Sequence, residues 1–286
     1  MAGGLKAKQI RNVLRKKMDA WVATIDGSSL RQLVEKNAII TGGSIASMLL
    51  GEEVADFDVY FRDHATVLAV AKYYVSRFEP KNQHGVTCKI SVLDEGGRVK
   101  IVIKSAGVAS EEGAEKPYNF FETRADGEAG AYIGEVMQDP GDIQDAYEAT
   151  EQASLEAEDD GKPKYRPVFM STNAITLSHR VQLILRFYGE PDEIHKTYDF
   201  VHCTNYWTAH DDKLILRPEA LESLLARELR YVGSLYPICS VIRLRKFLRR
   251  EWKINAGQIL KMVWQISELD LKDIKVLEDQ LTGVDV

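Results

Sequence analysis

Between Lys6 and Thr24, Ile10, Val13, Leu14, Met18 and Trp21 recur at near-helical spacing with Lys and Arg between them. This predicts an amphipathic helix closed by Asp26 and Gly27. A second short helix is expected over Ser29 to Lys36, a brief strand over Ala38 to Thr41, a helix over Ser44 to Leu50 ended by Gly51, and a strand over Phe57 to Phe61. Helix, strand, glycine turn, helix, strand is the order of an α/β core. Further strands are expected at Val86 to Leu93 and Val99 to Lys104, joined by DEGGR, then at Val168 to Met170 and Arg180 to Phe187. GEPDEIHKT reads as a short helix with Pro191 in its first turn, followed by a strand over Tyr198 to Thr204. After Leu216 the period changes: Pro218 to Tyr231, Pro237 to Arg250 and Asn255 to Ile266 all carry helical spacing, so the chain is expected to end in a helical module.

Composition adds an asymmetry. The 286 residues are 45% apolar and 28% charged, enough for one large or two modest domains. The net charge of -6 argues against nonspecific nucleic-acid binding by the surface as a whole. Residues 111 to 160 hold sixteen Asp or Glu against two Lys or Arg, whereas residues 213 to 262 hold eleven Lys or Arg against four Asp or Glu. The expected organisation is a domain over residues 1–212 carrying an acidic, partly flexible insert at about 108–165, then a basic helical module over 213–286. The insert could meet a protein partner; plain solvation explains it as well. No run approaches the roughly 18 apolar residues of a membrane span, and Cys88, Cys203 and Cys239 form no CxxC pair. A soluble, cytoplasmic protein with reduced thiols is expected.

The chemistry concentrates in TGGSIASMLLGEEVADFDVYF, Thr41 to Phe61. Residues two apart on a strand share a face, so Asp56 and Asp58 project together if the strand begins near Asp56. Two carboxylates side by side repel, and a divalent cation relieves them; oxygen ligands favour Mg2+ or Mn2+ over Zn2+. Gly42, Gly43 and Ser44 occupy the turn into a helix, where glycines admit a ligand to the backbone, exposed N–H groups meet an anion, and a serine hydroxyl can bond a phosphate oxygen.

This stretch resembles the signature of the DNA polymerase beta-like nucleotidyltransferase superfamily, a Gly-Gly or Gly-Ser turn, a helix, then an acidic-x-acidic strand. It is especially similar to the head domain of CCA-adding enzymes and poly(A) polymerases, although Ala46 and Ser47 stand where the CCA-adding pattern has an Arg-Asp pair. The resemblance is tight over Thr41 to Phe61 and schematic elsewhere. It implies an α/β (α+β) nucleotidyltransferase core with a mixed sheet, Gly43 and Ser44 on a triphosphate, and Asp56 and Asp58 on two metal ions. It also implies a third carboxylate, for which Asp94, Glu95 and Asp199 are candidates; Asp199, in KTYDFVHCTNYW, is preferred because its surroundings resemble the corresponding region of related enzymes.

In SVIRLRKFLRREWKI, Val241, Leu244, Phe247 and Leu248 form an apolar stripe, with Arg243, Lys246, Arg249 and Arg250 largely off it. Arg243 and Arg249 could meet the triphosphate or an RNA backbone, and Lys104 could reach phosphate; a solvated basic face explains the same charges. Tyr198, Tyr206 and Trp207 could stack on a base, with core packing the preferred reading, and Trp21, Trp252 and Trp264 read as helix packing. His195, His202, Cys203 and His210 match no compact zinc spacing. The expected function is metal-dependent transfer of a nucleoside monophosphate from an NTP to an acceptor hydroxyl, on RNA, with a tRNA among the candidate acceptors, and with pyrophosphate release. The character of the chain suits a phage protein. The alternative is a nucleotide- or protein-binding protein that keeps the fold without turnover.

Overall fold

The computed structural model describes residues 3–78, 88–105, 164–273, 276, 277, 279 and 280. The acidic insert therefore lies almost wholly outside the described residues.

The first helix, α1 (Ala7–Val22), buries Ile10, Leu14, Met18 and Trp21 along the stripe that the sequence spacing marks. It is followed by α2 (Ser28–Asn37), β1 (Ala38–Thr41), α3 (Gly43–Leu50) and β2 (Phe57–Phe61). Next comes α4 (His64–Val75), which the apolar pattern does not single out; Asp63 caps it by accepting a hydrogen bond from the Thr66 amide at 2.7 Å. Strands β3 (Cys88–Glu95) and β4 (Arg98–Ser105) form an antiparallel hairpin in register from Cys88↔Ser105 to Glu95↔Arg98. The chain returns through β5 (Pro167–Met170), β6 (Ala174–Leu177) and β7 (Val181–Tyr188), then α5 (Pro191–His195), β8 (Tyr206–Thr208) and β9 (Lys213–Ile215).

Seven of these strands make one sheet in the order β5-β6-β7-β2-β1-β8-β9. Every pairing is antiparallel except β2 with β7, so the sheet is mixed, as the sequence reading expects. Its last strand, Lys213–Ile215, lies past residue 212. Alternation sorts the two faces. Phe57, Val59 and Phe61 of β2, Ala38 and Ile40 of β1, and Val181, Leu183 and Leu185 of β7 join the main core with α1 and α4. Tyr60, Ile39 and Ile184 instead meet Ile194, with Tyr198 and Tyr206 packed alongside. Asp58 and Thr41, paired across β2 and β1, belong to this second face.

The C-terminal region is helical: α6 (Pro218–Ala226), α7 (Pro237–Arg249) and α8 (Ala256–Ser267), with β10 (Glu228–Leu229) and β11 (Lys253–Ile254) as a small parallel pair. Its core joins Leu224, Leu229, Tyr231, Trp252 and Met262 to Ala46 of α3 and to Phe200. Helix α3, which opens at the glycine turn, is thereby held between the sheet and the helical region.

Three expectations are corrected. Tyr198 to Thr204 is not a strand: only Phe200 makes a bridge, to Tyr231, and Val201–Cys203 is a 3-10 turn. The expected helix to Tyr231 stops at Ala226, where Arg227 turns into the left-handed region at φ 47° so that β10 can pair with β11. Trp264 is 73% exposed, and on α7 Val241 and Leu248 are exposed while Leu244 and Phe247 lie against the core.

Candidate nucleotide and metal site

The site begins at the end of β1. Gly42 has φ 92°, a conformation open to glycine, and its amide donates to the Cys203 carbonyl at 3.1 Å. A Cβ on Gly42 would stand 2.5 Å from Asp58 Oδ2, so the carboxylate of Asp58 rests on this peptide. The next residue, Gly43, opens α3 and is exposed, with nothing within 4 Å of where its Cβ would be. Ser44 then turns inward: it is buried, and among the described residues its Oγ has no hydrogen-bond partner. A backbone cradle open on one side and an unsatisfied buried hydroxyl on the other have the form of an anion seat at a helix start.

Asp56 immediately precedes β2, and Asp58 lies within it on the sheet face described above. The two are close enough that each charge works against the other. Burial first, and then the Asp56 charge, raise the Asp58 carboxyl well above the ordinary carboxylate range, while Lys246 and Arg243 act in the opposite sense. Two phenols share this neighbourhood: Tyr60, two residues further along the same face, and Tyr198. Burial foremost, with the Asp58 charge adding to it, pushes both upward, so they remain protonated.

Beneath them, the Thr41 hydroxyl lies 2.8 Å from His195 Nε2 and 2.9 Å from the Asn205 carbonyl. With one proton to give, Thr41 donates to that carbonyl and accepts from Nε2–H, which leaves Nδ1 of the buried His195 bare and without a partner among the described residues. Burial, with Arg217 contributing, lowers His195 to about 4, so the ring is neutral.

Asp199 is buried at 6% exposure, one residue from Tyr198, and its Oδ2 accepts from Arg243 Nη1 at 2.6 Å. Its Oδ1 has no hydrogen-bond partner among the described residues. Arg243 belongs to α7, and Lys246, one turn on, shares its side of that helix. Both act on Asp58, and Asp58 and Asp199 both act on Cys203, whose thiol is pushed up to about 12, chiefly by burial. Glu52, just past α3, receives Nη2 of Arg227 at 2.8 Å and Nη2 of Arg250, tying the glycine-turn helix to the basic helix.

The structure thus brings together Gly42, Gly43, Ser44, Asp56 and Asp58, and ties Asp199, whose charge reaches the same Cys203 as that of Asp58, to an arginine. Among the described residues no group of three or more His, Cys, Asp or Glu draws together to hold a metal. Arg249 is exposed at the end of α7. Lys104 is carried on β4, in the separate hairpin, with its side chain outside the described residues. The other two carboxylate candidates are occupied on that hairpin, Asp94 by His64 at 2.9 Å and Glu95 by Lys100 at 2.9 Å. Trp207 is fully buried. Spacing marks Lys246 only as one charge on the basic face of α7 and gives no sign of Glu52, Tyr60 or Thr41, although Tyr60 shares the alternation that pairs Asp56 with Asp58.

Asp56 and Asp58 fit a divalent cation as oxygen donors, judged by the repulsion that the Asp56 charge exerts on buried Asp58.

Solved structures similar to the chain include a Thermotoga maritima CCA-adding enzyme complexed with tRNA, with 11% identity and TM-score 0.41 over 89% of this chain and 45% of that one. A tRNA-processing enzyme in its apo form I has 14% identity and TM-score 0.42 over 92% and 49%, and a CCA-adding enzyme with CTP has 13% and 0.39 over 87% and 44%. In sequence, 107 residues are 23% identical to a Gabija anti-defense 2 protein of Bacillus phage SPbetaL7, covering 37% of this chain and 27% of that protein. The match therefore spans about a quarter of that relative's length. The model of the Gabija anti-defense 2 family matches residues 12–227, which contain every element of the glycine turn and the aspartate strand. With most of its length matched by that model, the chain belongs to the Gabija anti-defense 2 family.

Proposed function

We propose that this chain is a phage-encoded, metal-dependent nucleotidyltransferase that acts in Gabija anti-defense. The observation that carries the reading is the Asp58 carboxylate resting on the Gly42 peptide, with Asp56 and the unsatisfied Ser44 hydroxyl alongside. Asp56 and Asp58 would hold Mg2+ or Mn2+. Such an ion supplies charge to polarise a phosphoryl oxygen and to acidify a bound hydroxyl.

The chain's own residues supply the rest. Gly43 leaves room for a phosphate at the start of α3, and Ser44 can donate to one of its oxygens. Arg243 and Lys246 bring positive charge to the same place, offsetting the triphosphate. An acceptor oxygen then bonds the α-phosphorus, the bond to the β-phosphate oxygen breaks, and pyrophosphate leaves with that electron pair. The hydroxyl proton passes to a carboxylate of the site. RNA is the acceptor class that the basic face of α7 favours, with exposed Arg249 as a backbone contact. A second reading, nucleotide binding without turnover, is favoured by one observation, the engagement of Asp199 by Arg243.

The test is incubation with each α-labelled NTP, Mg2+ or Mn2+, and total RNA or cell extract, comparing wild type with Asp56→Asn/Asp58→Asn. Label is expected in RNA with wild type alone. Equal label with both proteins contradicts the enzymatic reading, and label in protein moves the acceptor to that class. A double variant that antagonises Gabija as well as wild type does supports binding without turnover.

A further inference from the structure

The buried carboxylate of Asp199 has a partner that changes its role. Its Oδ2 lies 2.6 Å from Arg243 Nη1, and the two residues are 44 apart in sequence, one before the Val201–Cys203 turn and one on α7. That turn runs along the glycine turn: the Cys203 carbonyl accepts the Gly42 amide, and the Tyr198 hydroxyl lies 3.6 Å from the position of a Gly42 Cβ. The Asp199 side chain is thus fixed by backbone that is itself fixed to the phosphate seat. A guanidinium tied to it is delivered to the same seat with little freedom, which a long side chain on a helix surface would not have.

We propose that Asp199 is a positioning residue that acts through Arg243, aiming its guanidinium at the triphosphate on the Gly42–Ser44 turn, rather than a ligand of the metal. The inference rests on the nucleotide reading above and assigns Asp199 differently from the sequence resemblance, which implies a third metal carboxylate. Several features agree with it. Arg243 already acts on Asp58, whose carboxylate lies against Gly42, and on Cys203, which both acids also act on. Asp199 does not gather with two further metal-binding side chains among the described residues. A carboxylate engaged by arginine at hydrogen-bond distance must surrender a charge-assisted bond before it can bind a cation, whereas holding an arginine requires no rearrangement.

The distinguishing experiment titrates the full chain with inorganic tripolyphosphate in EDTA, and separately with Mn2+ followed by its electron paramagnetic resonance. Wild type, Asp199→Asn, Arg243→Gln, the pair combined, Asp199→Glu and Asp58→Asn are compared. Loss of one charge-assisted contact predicts that Asp199→Asn and Arg243→Gln each weaken tripolyphosphate binding about tenfold. The double variant is expected to be no weaker than Arg243→Gln, because the two residues act as one unit. Asp199→Glu, which keeps the charge, is expected to stay close to wild type and carries the comparison if the asparagine variant does not fold. Mn2+ affinity is expected to fall in Asp58→Asn and to hold in the Asp199 variants. Wild-type tripolyphosphate affinity in Asp199→Asn, or a loss of Mn2+ affinity matching that of Asp58→Asn, overturns the proposal while leaving the nucleotide reading intact. No tripolyphosphate binding by wild type in EDTA overturns the proposal alone, because the nucleotide reading is metal-dependent; that reading falls only if ATP with Mn2+ also fails to bind.

Discussion

Gly42 shows how little room the site leaves. Its φ of 92° is strained for any side chain, and a methyl group there meets the Asp58 carboxylate at 2.5 Å. Gly42→Ala is expected to cost about 1–3 kcal/mol in a denaturant melt and to reduce nucleotide transfer at least about tenfold, since the displaced group is the one proposed to hold the cation. An alanine variant with wild-type melting and transfer would remove the carboxylate from the turn. Asp58 illustrates the opposite balance. Burial and the Asp56 charge raise its carboxyl, so the ionised side chain weighs against the fold at neutral pH in metal-free protein. That burden is relieved as pH falls through the raised value toward 3.8. Asp58→Asn is therefore expected to melt higher than wild type in EDTA at neutral pH, by about 1 kcal/mol, while losing transfer. A lower melt for the asparagine variant would contradict this sign.

At the scale of elements, the glycine-turn helix is held from both sides, by the sheet and by the helical region. Glu52 fastens the second side through Arg227 and Arg250. Both arginines are 38% exposed, so solvent screening limits the two pairs together to about 1 kcal/mol. Glu52→Gln is expected to show that loss in a melt and a weaker grip on triphosphate, because α7 carries Arg243. Unchanged affinity would mean that α7 is set by its apolar contacts alone. Elements with one clean apolar stripe were legible in the sequence, as in α1 and in β2. Helix α4 was not, because HATVLAVAKYYV buries Thr66, Val67, Val70, Ala71 and Tyr74 and presents no sharp polar face; its Asp63 cap was the available signal. Residues 198–204 alternate like a strand, yet the chain there curls into a 3-10 turn to meet the Gly42 amide. In the site, the grouping was legible where Gly42, Gly43, Ser44, Asp56 and Asp58 share one turn and one strand. The Asp199–Arg243 pair joins residues 44 apart across two elements, and no local pattern encodes it.

For the molecule as a whole, two histidines set an acid limit. Burial holds His195 down to about 4 and His202 to about 3, against 6.5 when unfolded. The unfolded chain therefore binds more protons, and the stability these rings contribute is complete above pH 6.5 and is lost as pH falls toward their folded values. Melting temperature is expected to drop steeply between those limits, and His202→Asn is expected to flatten the slope; a flat profile in wild type would show the rings to be solvated. Nucleotide binding tests whether Asp56 and Asp58 face a phosphate seat at Gly42–Ser44 and share a divalent ion. Calorimetric titration of wild type and Asp58→Asn with ATP, with and without Mn2+, decides it: the account predicts that Mn2+ strengthens ATP binding at least about tenfold in wild type and hardly at all in Asp58→Asn. Equal ATP binding by the two proteins, indifferent to Mn2+, would contradict it.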